Sequence, residues 1–401
     1  MEITLSKIMP IAVVVALVTA CGKKEDQPAA SVQAGPAATA VSAAGGGEIV
    51  VRIGHAAPLT GGLAHLGKDN ENGARLALEE VNKAGLEING KKISLELLSE
   101  DDAGDPKTGT AVAQRLVDKK IVAVVGHLNS GVSIPTAKIY SDAGIVQISP
   151  SSTNPDYTKQ GFKTTFRVVA TDAQQGPALA NFALKSLHAK TVAIVDDATA
   201  FGKGLADEFE KTVKHSGVNV VAREATNDKA TDFKAILTKI KGKKPDVIMY
   251  GGMDATGGPF AKQAKELGIS AKIVGGDGLC TDKMVELAGD GVSNIVCSEA
   301  GLALSKMEHG AEFAKRYQTR FNAPVQIYAP FTYDAVMVIV DAMKRANSTE
   351  SAAILAAMPK TDYKGLIGNI AFDNKGDMKE GTITLYEYKD KKKVVLDVVK
   401  M

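Results

Sequence analysis

Short apolar runs alternate along the chain with longer stretches whose apolar residues recur at three- and four-residue intervals, and each alternation reads as a strand followed by a helix. The pattern predicts strands at 49–53, 93–98, 121–125 and 145–148, with helices at 69–84, 107–119 and 132–143 between them. Ile121-Val122-Ala123-Val124-Val125 is too short for a helix and has no polar face, so it reads as a strand covered on both sides. From Thr171 the alternation starts again: helices at 173–187, 203–216, 231–241 and 255–267 accompany strands at 191–195, 218–221, 246–250, 272–274 and 295–298. Regular alternation of this kind makes a parallel sheet with helices on both faces, and two consecutive runs predict an α/β protein of two Rossmann-like lobes. The remainder, helices at 308–321 and 328–346 and strands at 368–372, 382–388 and 394–398, is too small for a third such lobe and must complete the other two.

Polar chemistry collects at the ends of the predicted strands. Strand 121–125 runs into Gly126-His127-Leu128-Asn129-Ser130-Gly131 just ahead of a helix, and strand 145–148 ends in Ser149, Ser151, Ser152 and Thr153. Two neighbouring parallel strands that finish this way put hydroxyls and free backbone N–H groups at the carboxyl edge of a sheet, where open α/β sheets bind ligands. N–H groups at a helix start carry partial positive charge, so the natural guest is a small anion such as a carboxylate or phosphate. Taken singly, Ser130 and Thr153 also read as ordinary caps or turn residues. In the second run the strand ends carry Asp196-Asp197, Gly251-Gly252-Met253-Asp254 and Gly275-Gly276-Asp277-Gly278. Glycines there let a ligand approach the backbone, and Asp277 offers a carboxylate to a cation as Ser130 and Thr153 offer donors to an anion. Asp277 equally fits a turn aspartate that caps the next helix.

Composition narrows the partners. The chain's 401 residues suffice for two domains, and 48 basic against 46 acidic residues, net +2 with no long basic run, argue against nucleic acid. With no Trp and only 5% aromatic residues, few rings remain for stacking bases or sugars. An apolar run at 8–20 behind Lys7 has the length of a signal-peptide core and falls short of a membrane span. It ends in Val18-Thr19-Ala20-Cys21, which resembles a bacterial lipobox. That resemblance implies a leader at 1–20, cleavage before Cys21 and a diacylglyceryl group on its thiol, with a plain secretory leader as the alternative. Residues 22–47, rich in Ala, Gly, Ser and Pro, read as a disordered tether. As a flexible coil it spans roughly 30 Å, so the folded body meets a membrane only through the lipid anchor. Cys280 and Cys297 remain, and an oxidising compartment favours a bridge between them, worth about 3 kcal/mol for a loop of that size. Two unpaired buried thiols are the alternative.

Several segments then carry a family resemblance: VVGHLNSG with ISPSSTNP, TDAQQGPALA at 171–180 with DDATAFGKG at 196–204, and YGGMDATG with GGDGL. The opening TGGLAHLGKDNENGARLALEEVN and the acidic DDAGDP agree with them. Together they resemble the branched-chain amino-acid (Leu/Ile/Val) binding proteins of bacterial ABC transporters, which have the periplasmic-binding-protein type I fold. The likeness runs from about Glu48 to the C-terminus. It implies two lobes joined by three crossings, the first about 48–170 plus 301–380 and the second about 171–300 plus 381–401. It also implies a monomer that catches an amino acid in the cleft and delivers it to a membrane permease, with no cofactor or metal. On the matching positions, the ligand carboxylate falls to Ser130, to Ser151 or Ser152, and to Thr153, and the ammonium to Asp277, where the family often has Glu. Cleft aromatics of the family fall here on Leu66, Phe201 and Met253, and a bridge that some members carry in the first lobe falls on Gly104 and Asn129.

Two rival readings separate on chemistry. For an enzyme, the chain lacks a GxxxxGK[ST] phosphate loop, a GxGxxG after the first strand, a GxSxG elbow, HExxH and CxxC, and its six histidines form no metal-ligand spacing. His127 near Ser130 has the residue types of a base and a nucleophile, but neighbouring turn residues seldom point together. A binding protein of the same fold for short amides, urea or aromatic acids is the other rival. A ligand without an ammonium group leaves Asp277 without a task.

Overall fold

The computed structural model describes residues 48–401; the leader, Cys21 and the tether read from residues 1–47 lie outside the described residues. The first run comprises β1 (Ile49–Ala57), α1 (Ala64–Ala84), β2 (Leu86–Ile88), β3 (Lys91–Asp101), α2 (Pro106–Asp118), β4 (Ala123–Gly126), α3 (Ser130–Asp142), β5 (Val146–Ser149), α4 (Asp156–Lys159) and β6 (Thr165–Arg167). The second comprises α5 (Asp172–Lys185), β7 (Thr191–Asp196), α6 (Ala200–His215), β8 (Asn219–Ala225), α7 (Lys234–Lys243), β9 (Val247–Gly251), α8 (Asp254–Glu266), β10 (Lys272–Gly275), α9 (Lys283–Ala288) and β11 (Ile295–Glu299). After it come α10 (Gly310–Phe321), α11 (Ala329–Ala346), α12 (Ser351–Ala357), β12 (Tyr363–Gly365), β13 (Gly368–Ile370), β14 (Thr382–Lys389) and β15 (Lys392–Lys400).

These strands form two sheets, one per lobe. The first has the order β2-β3-β1-β4-β5-β6 and the second β15-β14-β11-β10-β9-β7-β8. All residues of β4, β5, β9 and β11 are buried, as parallel strands covered by helices on both faces must be. The expectation of parallel sheets holds at their centres and needs correction at the edges. β2 runs antiparallel to β3 and β14 antiparallel to β15 because tight turns at Asn89-Gly90 and Asp390-Lys391 join those pairs, and β14, returning from the first lobe, also runs antiparallel to β11. Both turns use positive φ. The strand predicted at 368–372 joins neither sheet: Gly368–Ile370 pairs with β12 in a separate ribbon. β1 continues past the predicted end because His55, Ala56 and Ala57 keep pairing with Ser99, Glu100 and Asp101.

Local chemistry places the helix starts. Asp105 accepts the Thr108 N–H at 2.7 Å with Pro106 opening α2, and Thr199 accepts the Gly202 N–H at 3.0 Å at the head of α6. α10 and α11 stop at Asn322 and Asn347, both in the left-handed region. α10 and α11 pack on α1 and so complete the first lobe, whereas β14 and β15 extend the second sheet. The chain therefore passes between the lobes after β6, after β11 and before β14. The first two passages are bonded together, Ala170 N–H to the Ala300 carbonyl at 3.0 Å. The third is bonded to the second through the Thr384 hydroxyl, 2.8 Å from the Gly301 carbonyl.

Candidate ligand-binding site

The first-lobe wall of the cleft is a turn held from behind. His127, the residue after β4, is fully buried, with Nδ1 2.7 Å from Asp102 Oδ2 and Nε2 3.1 Å from the Tyr140 hydroxyl. Both ring nitrogens are therefore engaged away from Ser130, and the His127 carbonyl accepts the Ser133 and Ser149 hydroxyls at 3.0 and 2.8 Å. Ser151 donates to the Leu128 carbonyl at 3.1 Å, and Ser130 Oγ accepts the Asn154 N–H at 3.2 Å. Arg167, at the end of β6, braces the 152–154 turn. This fully buried guanidinium donates to the carbonyls of Ser152 at 2.5 Å and Asn154 at 2.9 Å and to Asp377 at 2.6 Å, and lies 5.3 Å from the Tyr157 ring.

The second-lobe wall depends on close backbone approach. A Cβ on Gly251 would run into the Gly202 carbonyl and one on Gly202 into the Gly251 carbonyl, so only glycines let the head of α6 settle against the end of β9. That contact brings Phe201 and Met253 to the cleft. Asp277, just after β10, accepts the Gln175 amide on Oδ1 at 2.9 Å, and Gln175 Oε1 in turn accepts the Ser298 hydroxyl at 2.7 Å. Burial pushes the Asp277 carboxyl above the ordinary range despite its hydrogen bonds. Cys280, three residues on, is bonded to Cys297 of β11, with Cα atoms 5.4 Å apart, which ties the Asp277 turn to the sheet.

The lobes meet over these groups. Tyr328, from the first lobe, donates its hydroxyl to Asp277 Oδ2 at 2.6 Å. Its backbone is fixed by Asp69 of α1, whose buried carboxylate accepts the N–H groups of Gln326, Ile327, Tyr328 and Ala329 at 2.7–3.1 Å. His65 Nε2 reaches Asp254 at 2.7 Å, and the Asn154 amide donates to the Ala200 carbonyl at 2.6 Å. Between the walls lies a cavity of about 10 Å³, bounded by Leu128, Asn129, Ser130, Ser151 and Tyr328 from one lobe and Phe201, Met253 and Asp277 from the other. A space of that size holds about one water, so a larger guest requires the lobes to part. A wider cavity of about 670 Å³ adjoins it, sharing Asn129, Phe201 and Met253 and opening between Gly61–Leu63 and Ala198–Ala200.

Of the residues predicted from sequence, Ser130, Ser151, Phe201, Met253 and Asp277 border the inner cavity, and Ser152, Thr153 and Leu66 do not. Ser152 turns inward, 2.7 Å from the Ser133 hydroxyl and 3.0 Å from the Leu128 carbonyl, and so shapes the turn from within. Thr153 is buried beside the first passage, where its carbonyl accepts the Asp172 N–H at 2.9 Å and its hydroxyl has no hydrogen-bond partner. Leu66 lies away from the inner cavity and is fully buried, in the same core cluster as Phe201 and Met253. Gly104 and Asn129 adjoin as the resemblance implies, a Cβ on Gly104 falling 3.4 Å from Asn129 Oδ1. Sequence reasoning missed Tyr328 and Gln175. Gln175 lies within the TDAQQGPALA segment, whereas Tyr328 read only as the first residue of a helix.

One wall thus presents hydroxyls and a helix start, the other a sealed carboxyl, an arrangement fitted to a small molecule with opposite charges at two points. Among the described residues no group of three or more His, Cys, Asp or Glu is placed to hold a metal ion, and no helix is long and apolar enough to cross a membrane. Residues 50–393 match the periplasmic binding protein family, and the chain belongs to it. Among its relatives, the Leu/Ile/Val-binding protein homolog 1 of Brucella abortus (strain 2308) is 34% identical over 358 residues, covering 88% of this chain and 95% of that protein. The Leu/Ile/Val-binding protein BraC3 of Rhizobium johnstonii is 35% identical over 340 residues, covering 84% of this chain and 91% of the relative. Among solved structures, LivJ, the branched-chain amino acid transporter substrate binding protein of Streptococcus pneumoniae, crystallised with isoleucine, superposes with a TM-score of 0.81 at 31% identity, covering 88% of this chain and all of that one.

Proposed function

We propose that the protein captures branched-chain and other apolar amino acids outside the cytoplasm, between its two lobes, and passes them to the permease of an ABC transporter. The observation that carries this reading is the single carboxyl of Asp277 on one lobe facing the hydroxyls of Ser130 and Ser151 on the other across one cavity. The zwitterion's carboxylate goes to the first lobe, at Ser130, Ser151 and the turn that carries Ser152 and Thr153, and its ammonium goes to Asp277. Its side chain lies against Phe201, Met253 and Leu128, apolar surfaces that reward an aliphatic guest. Charge-assisted hydrogen bonds to buried partners contribute about 1.5–3 kcal/mol each. Contacts to both lobes exist only when the lobes are together, so the ligand shifts the protein toward the form in which they touch. That form is the one a permease recognises, and the protein binds its solute without chemical turnover. A lipid on Cys21 and the following tether hold the monomer at the membrane.

The Leu/Ile/Val-binding relatives and the isoleucine complex of LivJ support an aliphatic amino acid over an amide, urea or aromatic acid, as does a carboxyl with no cationic partner. Calorimetry with leucine, isoleucine and valine tests the reading, and Asp277→Ala is expected to weaken binding at least about tenfold. Unchanged affinity in that variant removes Asp277 from the site. A thermal-shift screen in which amides or aromatic acids stabilise the protein and amino acids do not overturns the solute class.

A further inference from the structure

Asp277 sits in the cleft with neutral partners only. Its two oxygens accept the Gln175 amide at 2.9 Å and the Tyr328 phenol at 2.6 Å, and the residue is 2% exposed. Gln175 is committed in its orientation, since its own oxygen accepts the Ser298 hydroxyl. The charged groups around this cluster are Glu299 at the end of β11, Asp172 at the head of α5, Asp254 at the head of α8 and Lys393 on β15. Three of the four are acids, and the lysine is spent on Glu299 at 2.5 Å and the Cys280 carbonyl at 2.8 Å. No cation among the described residues answers Asp277.

A carboxyl so placed has two forms with opposite needs. Ionised, it calls for a cation, which the ammonium of an amino acid supplies. Protonated, it becomes an O–H donor and calls for an acceptor. Burial favours the proton, and Glu299 adds to that effect, against the hydrogen bonds from Tyr328, Gln175 and the residue's own N–H, which favour ionisation.

We infer that the same cleft takes a second class of ligand, the 2-oxo acids with apolar side chains, when Asp277 is protonated and donates to the keto oxygen. This rests on the amino-acid orientation proposed above: the carboxylate stays with Ser130 and Ser151, the side chain with Phe201 and Met253, and the keto oxygen takes the place of the ammonium. A keto oxygen is an acceptor only, so against ionised Asp277 two acceptors face each other without a proton between them. One proton on one side chain then decides between the two classes.

The test is calorimetry of the full chain with 4-methyl-2-oxopentanoate and with leucine, at about pH 5.5 and about pH 8, in wild type and Asp277→Asn. In wild type, oxo-acid affinity should fall up to about tenfold per pH unit while Asp277 gives up its proton, at least about tenfold overall, with proton uptake visible in buffers of different ionisation heat. Leucine affinity should hold or rise over the same interval. Asp277→Asn, whose amide donates at any pH, should bind the oxo acid equally at both pH values and bind leucine at least about tenfold more weakly. Oxo-acid affinity in wild type that is equal at both pH values, or oxo-acid binding absent in both proteins, overturns the inference whether or not leucine binds. Should Asp277→Asn fail to fold, proton uptake by the wild type decides. Failure of leucine to bind wild type overturns the amino-acid reading alone, because proton-linked oxo-acid binding would still support the inference.

Discussion

Replacing Tyr328 with Phe removes one oxygen and keeps the ring. The ring is buried at the head of α11, anchored by Asp69, so the first lobe's core and the backbone at this position are untouched. What disappears is the 2.6 Å hydrogen bond to Asp277, which joins a residue of the first lobe to a residue of the second. This bond exists only while the lobes touch, so its free energy belongs wholly to that form. A hydrogen bond to a buried charged group contributes about 1.5–3 kcal/mol, which is about a ten- to hundredfold change in the equilibrium between parted and touching lobes. The touching form leaves room for about one water, so leucine enters only when the lobes part, and losing a bond that holds the empty lobes together should strengthen apparent leucine affinity by up to the same factor. Small-angle scattering should report a larger radius of gyration for Tyr328→Phe than for wild type, and calorimetry the stronger leucine affinity. Its thermal midpoint should stay close to wild type. Identical scattering profiles together with identical affinity would refute the role given to the phenol.

Other outcomes follow from buried charge. Arg167→Met should cost about 3 kcal/mol in urea unfolding, since it strands the Ser152 carbonyl and leaves Asp377 with the Thr158 hydroxyl alone, and should weaken leucine at least about tenfold by freeing the turn. Retained affinity with lowered stability would show that the turn holds its shape without the guanidinium. Reduction of the Cys280–Cys297 bond, which spans 17 residues, or its replacement by serines, should cost about 3 kcal/mol, and an unchanged unfolding midpoint would count against it. Burial pushes Asp197 up to about 6, so the folded state prefers its protonated form: that stability is full below about pH 4 and is lost as pH rises through about 6. Asp197→Asn, which keeps the acceptor for Thr199, should therefore lose roughly 2–3 kcal/mol less than wild type between about pH 4 and about pH 7. His55, pushed by burial down to about 4, works the opposite way, its contribution being lost as pH falls from about 6.5, so the difference between the two proteins is the quantity to measure. Identical pH profiles would show that Asp197 titrates no differently on folding.

The double α/β rhythm was readable because buried parallel strands leave unbroken apolar runs, and all the long helices fall where spacing predicts them. β2, α4, β6, α9 and α12 escaped notice because three to seven residues cannot display a period. Helix starts were missed in both directions: α1 begins at Ala64, ahead of the regular stripe, where Gly67 packs on the Pro58 backbone, whereas α7 and α10 begin two to three residues after the predicted start. At the site, Ser130, Ser151 and Asp277 were legible because strand-end turns rich in hydroxyl or glycine announce themselves in sequence. Tyr328 was not, since its part depends on Asp69 and Asp277, residues far from it in the chain. Leu66, placed in the cleft by the resemblance, lies away from the inner cavity in the buried core, because a position in sequence does not say which way a side chain faces.

Arg167 ties the turn at 152–154 to the frame of the molecule, whereas Phe201 and Met253 sit at the starts of two helices and pack into the buried core. On the proposed reading, descendants of this chain change diet at a cost in stability. If the cleft holds an amino acid as proposed, exchanging those two residues alters which tail fits and disturbs the core they belong to, while the grip on the polar head stays with the turn.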